Sequence, residues 1–272
     1  SLILGTTITM SSSHWLLAWA GLEMNTLAII PIISKQHHPR ATEAATKYFL
    51  TQATASALIL FASTMNAWKT GQWDISQLTI TESTTMLTLA LAMKLGLAPL
   101  HFWLPEVLQG STLLTAMIIS TWQKLAPISL LLMTNNSLNH KMLITLGLTS
   151  ALLGGWLGLN QTQIRKIMAF SSIAHMGWLF MALSINPNIT MITLITYLLL
   201  TTAMFFTLVL TTSKTLLDLG STSPLTPTLL VISMLTLMSL GGLPPLTGFM
   251  PKWLILTELT TNNLLLISMM MA

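Results

Sequence analysis

The chain has 272 residues, of which 53% are hydrophobic and only 7% are charged, and its formal net charge is +4. Since an ordinary soluble domain carries about 25% charged residues, this composition argues against a soluble protein. The chain contains no cysteine, which excludes disulfides and every cysteine-ligated metal or iron–sulfur site. Its eleven Lys and Arg residues are scattered along the sequence, so the positive charge does not indicate a nucleic-acid partner.

Apolar runs of about 20 residues recur along the chain, and this is the length that crosses a hydrocarbon layer as a helix. A β-barrel would instead alternate apolar and polar residues in segments of about ten, and the sequence shows no such alternation. We therefore predict an all-α polytopic membrane protein, with one transmembrane domain over residues 1–272 and about ten helices. The predicted helices are 1–11, 14–33, 41–68, 84–105, 112–133, 141–159, 165–185, 189–212, 225–258 and 262–272, and we expect the first and last to be truncated.

The distribution of cations over the predicted loops gives an orientation. Short loops rich in Lys and Arg stay on the side from which a membrane protein inserts. One predicted face has only Lys69 and Lys141, so the opposite face is predicted to be the inner one, towards cytoplasm or matrix. The cations of that inner face are Lys35, Arg40, Lys47, Arg165, Lys166 and Lys214.

Two predicted helices share an unusual interruption. The run 96–100 (GLAPL) is followed by Pro105, and the run 242–246 (GLPPL) is followed by Pro251, which makes an internal repeat with a period of 146 residues. Because proline removes a backbone donor and clashes with the preceding turn, both helices are predicted to break. The two lie five helices apart, an odd number that inverts the topology, so we predict inverted five-helix repeats, roughly 1–135 and 136–272. Such pairs of broken helices indicate a midplane transport site, although proline could instead only kink each helix for packing.

Four charged side chains lie within otherwise apolar stretches: Glu23, Lys94, Lys124 and Lys252. Each costs about 2.5 to 3.5 kcal/mol near the bilayer centre, so the four oppose insertion by about 10 to 14 kcal/mol unless they are paired or hydrated. Desolvation disfavours a charged lysine and a nearby carboxylate favours it, so such groups joined by water can pass protons along. Each one alone could be structural, as a cap, a static ion pair or a snorkelling side chain. Together they predict an ion or proton path.

Two histidines within apolar segments, His101 and His175, are candidate relays, but each could simply hydrogen-bond a carbonyl. His37 and His38 share a loop with Arg40 and lack further ligands, so the sequence predicts a solvated loop there rather than a metal site. Neither a G-x-G-x-x-G motif nor a Walker loop occurs, so we expect neither NADH nor ATP to bind this chain.

Five motifs resemble one known family, and together they extend along essentially the whole chain. They are 19–25 (WAGLEMN), 93–103 (MKLGLAPLHFW), 121–127 (TWQKLAP), 171–177 (SSIAHMG) and 241–253 (GGLPPLTGFMPKW). The chain resembles the vertebrate mitochondrial NADH–ubiquinone oxidoreductase chain 2 family, which are antiporter-like membrane subunits of respiratory complex I. Relative to that family, a short N-terminal piece and the C-terminal helices are absent from this sequence.

The resemblance implies a role for each intramembrane charge. Glu23 matches the family's glutamate that pairs with the lysine of the first broken helix, here Lys94. Lys124 matches the central lysine of the hydrated axis. Lys252 matches the lysine after the second break, which leads outward to the next antiporter-like subunit. All four positions carry the residue type that the family has there.

The resemblance also implies an activity and a setting. The chain would be a proton-translocating core subunit of the H⁺-translocating NADH:ubiquinone reductase in the mitochondrial inner membrane, with no redox chemistry of its own. It would hold no cofactor, while FMN, iron–sulfur clusters and ubiquinone would lie on partner subunits of the complex. Its partners would be lipid and the other membrane subunits, including a neighbouring antiporter-like one. The alternatives are an autonomous secondary cation/proton antiporter, and a structural subunit that would leave the buried charges unexplained.

Overall fold

The computed structural model of the chain describes residues 1–35, 38–221 and 226–271. Within these ranges the chain is helical, and its only β pairing consists of two isolated bridges, His14 with Asp74 and Gln163 with Thr215. The helices are α1 (Leu2–Ser11), α2 (Trp15–Ser34), α3 (Pro39–Thr70), α4 (Thr81–Leu95), α5 (Trp103–Gly110), α6 (Leu113–Ser120), α7 (Trp122–Met133), α8 (His140–Leu159), α9 (Ile164–Ile185), α10 (Pro187–Thr211), α11 (Leu216–Ser221), α12 (Pro227–Gly241), α13 (Phe249–Thr261) and α14 (Leu265–Met271).

Six spans of the described chain are long and apolar enough to cross a membrane. They are α2, α3, α8, α9, α10 and the span Leu113–Met133, which comprises α6 and α7. Large apolar side chains such as Trp156, Leu199 and Leu210 are exposed on these helices, as lipid-facing residues must be. The prediction of an all-α polytopic membrane protein is confirmed.

The two predicted helix breaks are observed, and their backbones repeat at the predicted spacing. Helix α4 ends on Gly96 (φ 77°) and α12 ends on Gly242 (φ 83°), and in both places the left-handed conformation favours glycine. The N–H of Gly96 donates to Met93, and the N–H of Gly242 donates to the equivalent Ser239. The helices resume at Trp103 and Phe249, again 146 residues apart. The larger division into inverted halves stays a prediction.

The close packing of α8 against α9 depends on glycine. A Cβ atom at Gly177 would lie 2.5 Å from Ser150 Oγ and 2.7 Å from the carbonyl oxygen of Gly147. A Cβ at Gly154 would lie 2.7 Å from the backbone nitrogen of Ala174. Small residues let membrane helices approach to backbone contact, so these three glycines set the separation of the pair.

The loop cations predicted to share one face meet partners at one end of the bundle. Lys47 forms ion pairs with Glu43 and with Glu106 at the start of α5, and Arg165 donates to the carbonyl of Ser111. The N–H of Ile164 donates to the carbonyl of Lys214 at 3.2 Å. These contacts join the N-terminal part of α3 to α5, and the N-terminus of α9 to Ser111 and to the loop before α11. They are consistent with these loops sharing one face, and which face is the inner one stays a prediction.

The predicted loop from 214 to 224 contains the short helix α11, a difference explained by its capping residues. The carboxylate of Asp218 accepts from the N–H of Thr215 at 2.9 Å and of Lys214 at 3.2 Å, and Thr215 Oγ1 accepts from the N–H of Asp218. These bonds, chiefly those from Thr215, hold the pKa of Asp218 below its ordinary value. A Thr-x-x-Asp capping box thus starts a short helix within a segment that was predicted to be a loop.

Of the two adjacent loop histidines, His38 lies within the described residues. His38 caps α3, where its Nδ1 accepts from the N–H of Arg40 at 3.2 Å. His37 lies outside the described residues. The role shown for His38 is therefore a structural one at a helix N-terminus.

Candidate functional site

Lys94 and Lys124 line one narrow cavity enclosed by α2 to α7. We call it the first cavity. The volume open to the centre of a water molecule is ≈ 10 Å³, about what a single water needs. Its polar lining also includes Asn25 on α2, Gln52 on α3 and Gln123 on α7. The structure therefore brings two of the predicted lysines to one polar space within the bundle.

Lys94 lies in the last turn of α4, two residues before the left-handed Gly96, and it is only 7% exposed. Its Nζ has no hydrogen-bond partner among the described residues. The carbonyl end of a helix favours a cation, which offsets part of the cost of burying this one. Buried polar groups are normally hydrogen-bonded to protein or to ordered water, so Lys94 is placed to bind water in the first cavity.

Glu23 lies on α2, close in sequence to Asn25 and the other cavity residues of that helix. The ion pairs formed within the described ranges do not include Glu23 with Lys94, so their charged atoms are more than 4.0 Å apart. The Glu23 carboxylate nevertheless lies within electrostatic range of Lys94, and its Oε2 is buried without a hydrogen bond in the described structure. The two residues are thus near neighbours rather than a closed pair.

Lys124 lies on α7 and is 3% exposed, yet its ammonium group has defined partners. Its Nζ donates to Tyr197 Oη at 3.2 Å and to the carbonyl of Ser172 at 3.5 Å. It also lies 5.0 Å from the centroid of the Tyr197 ring. Lys124 is therefore held by α9 and α10.

The predicted continuous helix 112–133 is interrupted at Thr121, which has φ −113° and ψ −71°. The N–H of Lys124 donates to the carbonyl of Thr121 at 3.3 Å, and the carbonyl of Ser120 accepts instead from the hydroxyl of Tyr197 at 2.8 Å. Pro127 lacks the N–H that would bond Gln123 and crowds that carbonyl, which accounts for a distorted turn just before it. The prediction of an unbroken helix was wrong at this position.

Lys252 lines a second cavity between α9, α10 and α13, where the volume open to water centres is ≈ 20 Å³. We call it the second cavity, and His175, Trp178 and Tyr197 also line it. Lys252 Nζ donates to the carbonyl of Gly241 at 2.9 Å and lies 5.8 Å from the Trp178 ring centroid. The second break thus supplies the carbonyl that binds the lysine after it.

The two candidate relay histidines have different surroundings. The His175 ring lies 5.4 Å from the Tyr197 ring and lines the second cavity with Lys252. His101 lies in the first break, is 3% exposed and stacks on Phe102 with 4.4 Å between ring centroids. His101 is not among the described residues that line either cavity. The structure therefore brings His175, but not His101, to a predicted lysine.

Tyr197 and Gln123 are site residues that the sequence analysis missed. A usable signal existed for Tyr197, which is one of only two tyrosines and lies within a long apolar run. A hydroxyl buried in such a helix needs a hydrogen-bond partner. Its partners lie 73 and 77 residues away along the chain, so the sequence pattern could not identify them.

Comparison with known proteins gives one consistent result. Residues 12–272 match the family model described as NADH:quinone oxidoreductase/Mrp antiporter, transmembrane. The chain is 61% identical over 260 residues to NADH-ubiquinone oxidoreductase chain 2 of Gallus gallus, covering 96% of this chain and 75% of that one. It is 58% identical over 272 residues to the chain of the same name from Struthio camelus, covering 100% and 79%.

Solved structures agree with these sequence relatives. A chain of respiratory complex I from Thermus thermophilus superimposes with a TM-score of 0.91 at 29% identity, covering 99% of this chain and 64% of that chain. A chain of the Mrp complex from Dietzia superimposes with a TM-score of 0.87 at 16% identity, covering 98% and 55%. The second match, at low identity, shows the fold alone, and that fold is antiporter-like.

Proposed function

The chain belongs to the NADH–ubiquinone oxidoreductase chain 2 family, and from this premise we propose that it translocates protons within respiratory complex I through Glu23, Lys94, Lys124 and Lys252. As a member of that family it is a membrane subunit of the H⁺-translocating NADH:ubiquinone reductase. The observation that carries the proposal is the first cavity, in which two buried lysines share a polar space with no carboxylate among its described lining residues.

The proposed first step concerns Lys94 and Lys124. Two ammonium groups facing one low-dielectric cavity repel each other, so protonation of one favours release from the other. Asn25, Gln52 and Gln123 offer amide groups that can order water between them. When Glu23 approaches Lys94 the carboxylate stabilises the ammonium, and when it withdraws the proton is released towards Lys124. The sites are thereby coupled by charge alone.

The proposed continuation passes from Lys124 to Lys252. His175 and Lys252 line the second cavity, and Tyr197 contacts both that cavity and Lys124. His175 is the proposed relay at this end of the path. Lys252 would then exchange its proton towards a neighbouring antiporter-like subunit. His101 remains a candidate relay of the first break only.

The proposed setting follows from the family. Redox energy would come from partner subunits that carry FMN, iron–sulfur clusters and ubiquinone, since a chain without cysteine lacks the thiolate ligands of an iron–sulfur cluster. The partners would be other membrane subunits of complex I, and the location would be the mitochondrial inner membrane. The chain itself is a multi-pass membrane protein.

Lys124→Met in the assembled complex is the direct test. The change removes the buried ammonium group and keeps an unbranched side chain of nearly the same length, so the complex should assemble. We expect proton pumping in proteoliposomes, and the NADH oxidation coupled to it, to fall roughly 10²-fold, as for loss of a positioned proton-transfer group. The matched control is Lys141→Met. Lys141 is exposed at the start of α8, so a complex with this change should pump normally. Full pumping by an assembled Lys124→Met complex would refute the central role.

The alternative function, an autonomous cation/proton antiporter, is favoured by the fold shared with the Mrp chain and by a family model whose description includes the Mrp antiporter. The two functions differ in what the isolated chain does. Purified alone in liposomes, it should perform no Na⁺/H⁺ exchange if it works only within complex I. Robust exchange, measured with a pH-sensitive dye inside the vesicles, would favour the antiporter.

A further inference from the structure

Tyr197 has the clearest unexplained geometry near the proposed path. Its side chain is 3% exposed on α10, and its oxygen accepts the hydrogen bond from Lys124 Nζ at 3.2 Å. The remaining described contact of that ammonium with a polar atom is the longer one to the carbonyl of Ser172, at 3.5 Å. The phenol is thus the nearest polar group to the central lysine.

The same hydroxyl also satisfies a backbone carbonyl that is freed by the break between α6 and α7. Its single hydrogen is donated to the carbonyl of Ser120 at 2.8 Å, an oxygen that an unbroken helix would bond to the N–H of Lys124. A phenol has one hydrogen and can accept through its oxygen, so both bonds are made at once. The position of Lys124 Nζ is therefore tied to the opened helical turn.

The ring of Tyr197 contacts the second cavity as well as Lys124. It lines the second cavity, where it lies 5.4 Å from the His175 ring and shares the lining with Lys252. The side chain thus stands between the first cavity and the second cavity. While its hydrogen is bonded to Ser120, the hydroxyl cannot donate towards either cavity.

We propose that Tyr197 is the positioning residue for Lys124, holding its ammonium group at the boundary between the two cavities through the Ser120 carbonyl. The proposal rests on the proposed function, in which Lys124 is the central proton site. Tyr197 acts through Lys124 and is not itself a proton donor in this arrangement.

Tyr197→Phe in the assembled complex removes only the hydroxyl and keeps the ring that packs on His175. We expect pumping to fall about tenfold, the usual effect of losing one hydrogen bond to a charged group. The pH profile of NADH oxidation should move to lower pH, because the ammonium has lost an acceptor. Thr207→Val is the matched control, since it removes another buried hydroxyl of α10, bonded to the carbonyl of Met204. It should leave both readouts unchanged.

The double variant separates positioning from general stability. If Tyr197 acts through Lys124, adding Tyr197→Phe to Lys124→Met lowers the residual NADH oxidation no further, because the two changes are coupled. An equal further loss in that background, or an unchanged pH profile in the single variant, would overturn the inference. Normal pumping by Lys124→Met would instead refute the proposed function. Should Tyr197→Phe fail to assemble, a density map of the native complex decides, and a Lys124–Tyr197 separation beyond hydrogen-bond reach in every state refutes the inference.

Discussion

The break after α4 and the break after α12 end their helices on equivalent left-handed glycines, but different side chains satisfy the carbonyls they free. In the first break, the indole nitrogen of Trp103 donates to the carbonyl of Met93 at 3.1 Å. The position equivalent to Trp103 is Phe249, which cannot donate, and in the second break Lys252 donates to Gly241 instead. The indole of Trp103 therefore satisfies a freed carbonyl in the first break, and the ammonium group of Lys252 satisfies one in the second.

This difference separates the two lysines physically. Lys94 is buried without a direct hydrogen bond in the described structure, so its charge does not hold the break together. Lys252 is both a charge in the proposed path and the partner of a helix end. A backbone repeat can thus be retained while one copy leaves its lysine without a direct hydrogen bond in the described structure and the other bonds its lysine to a helix end.

Replacing each lysine by methionine should reveal the largest difference between the two breaks. We expect both Lys94→Met and Lys252→Met to lower proton pumping by roughly 10²-fold in the assembled complex. Only Lys252→Met should also lower stability, by about 1 kcal/mol, because the carbonyl of Gly241 loses its donor. Thermal denaturation of the complexes, measured beside pumping, checks this. Equal destabilisation by both variants would contradict the distinction between the two breaks.

Alanine at the two break glycines gives a smaller and more selective effect. Both Gly96→Ala and Gly242→Ala should lose about 1 to 2 kcal/mol of stability, because a side chain is disfavoured at positive φ. A Cβ at Gly242 would lie 2.9 Å from Lys252 Nζ, whereas at Gly96 the nearest atoms are at an ordinary 3.5 Å. Pumping assays should therefore show an additional defect in Gly242→Ala alone. A pumping defect of similar size in both would argue against displacement of Lys252.

The chain segments that lead into the two broken helices should differ less in their contribution to the free energy of unfolding than the breaks themselves do. Before α4, Lys69 and Glu82 form an exposed ion pair at 2.9 Å, whereas before α12 the capping carboxylate of Asp218 starts α11. Since its pKa is lowered in the folded state, the stability from Asp218 is present above its unfolded pKa and is lost as pH falls through its folded pKa.

Acidification should therefore loosen α11 locally. We expect faster hydrogen exchange at the amides of Lys214 and Thr215 below about pH 4, near the reference pKa of aspartate. Asp218→Asn should remove most of this pH dependence because a neutral amide still accepts hydrogen bonds. Exchange that is independent of pH, after correction for the intrinsic rate, would show that the carboxylate does not hold the turn.

The sequence predicted those features that local chemistry decides. Apolar runs of sufficient length specified the membrane spans, and the glycine and proline pattern specified both breaks, because these residues act on their own backbone. The capping box of α11 was equally local, but the short segment that contains it was predicted to be a loop. The intramembrane charges were identified because lipid makes each one costly.

Features that depend on how the helices pack together could not be predicted from the sequence. The distorted turn at Thr121 has a local cause in Pro127, but the carbonyl it frees is satisfied by Tyr197 on another helix. The spacing between Glu23 and Lys94 depends on how α2 packs near α4, which no motif specifies. That the candidate relay His101 stacks on Phe102 away from both cavities is also a result of packing. The positions of the membrane helices along the chain were therefore predictable, whereas the side-chain contacts between helices were not.

The glycine contacts between α8 and α9 have a mechanical consequence. Helix α9 contributes the Ser172 carbonyl near Lys124 and two lining residues of the second cavity, His175 and Trp178. With backbone touching backbone at Gly147, Gly154 and Gly177, α9 has little freedom to slide or rotate against α8. We therefore expect α8 and α9 to move as one rigid unit, so that any motion that opens the cavities would involve α10, the opened turn before α7 and the two broken helices.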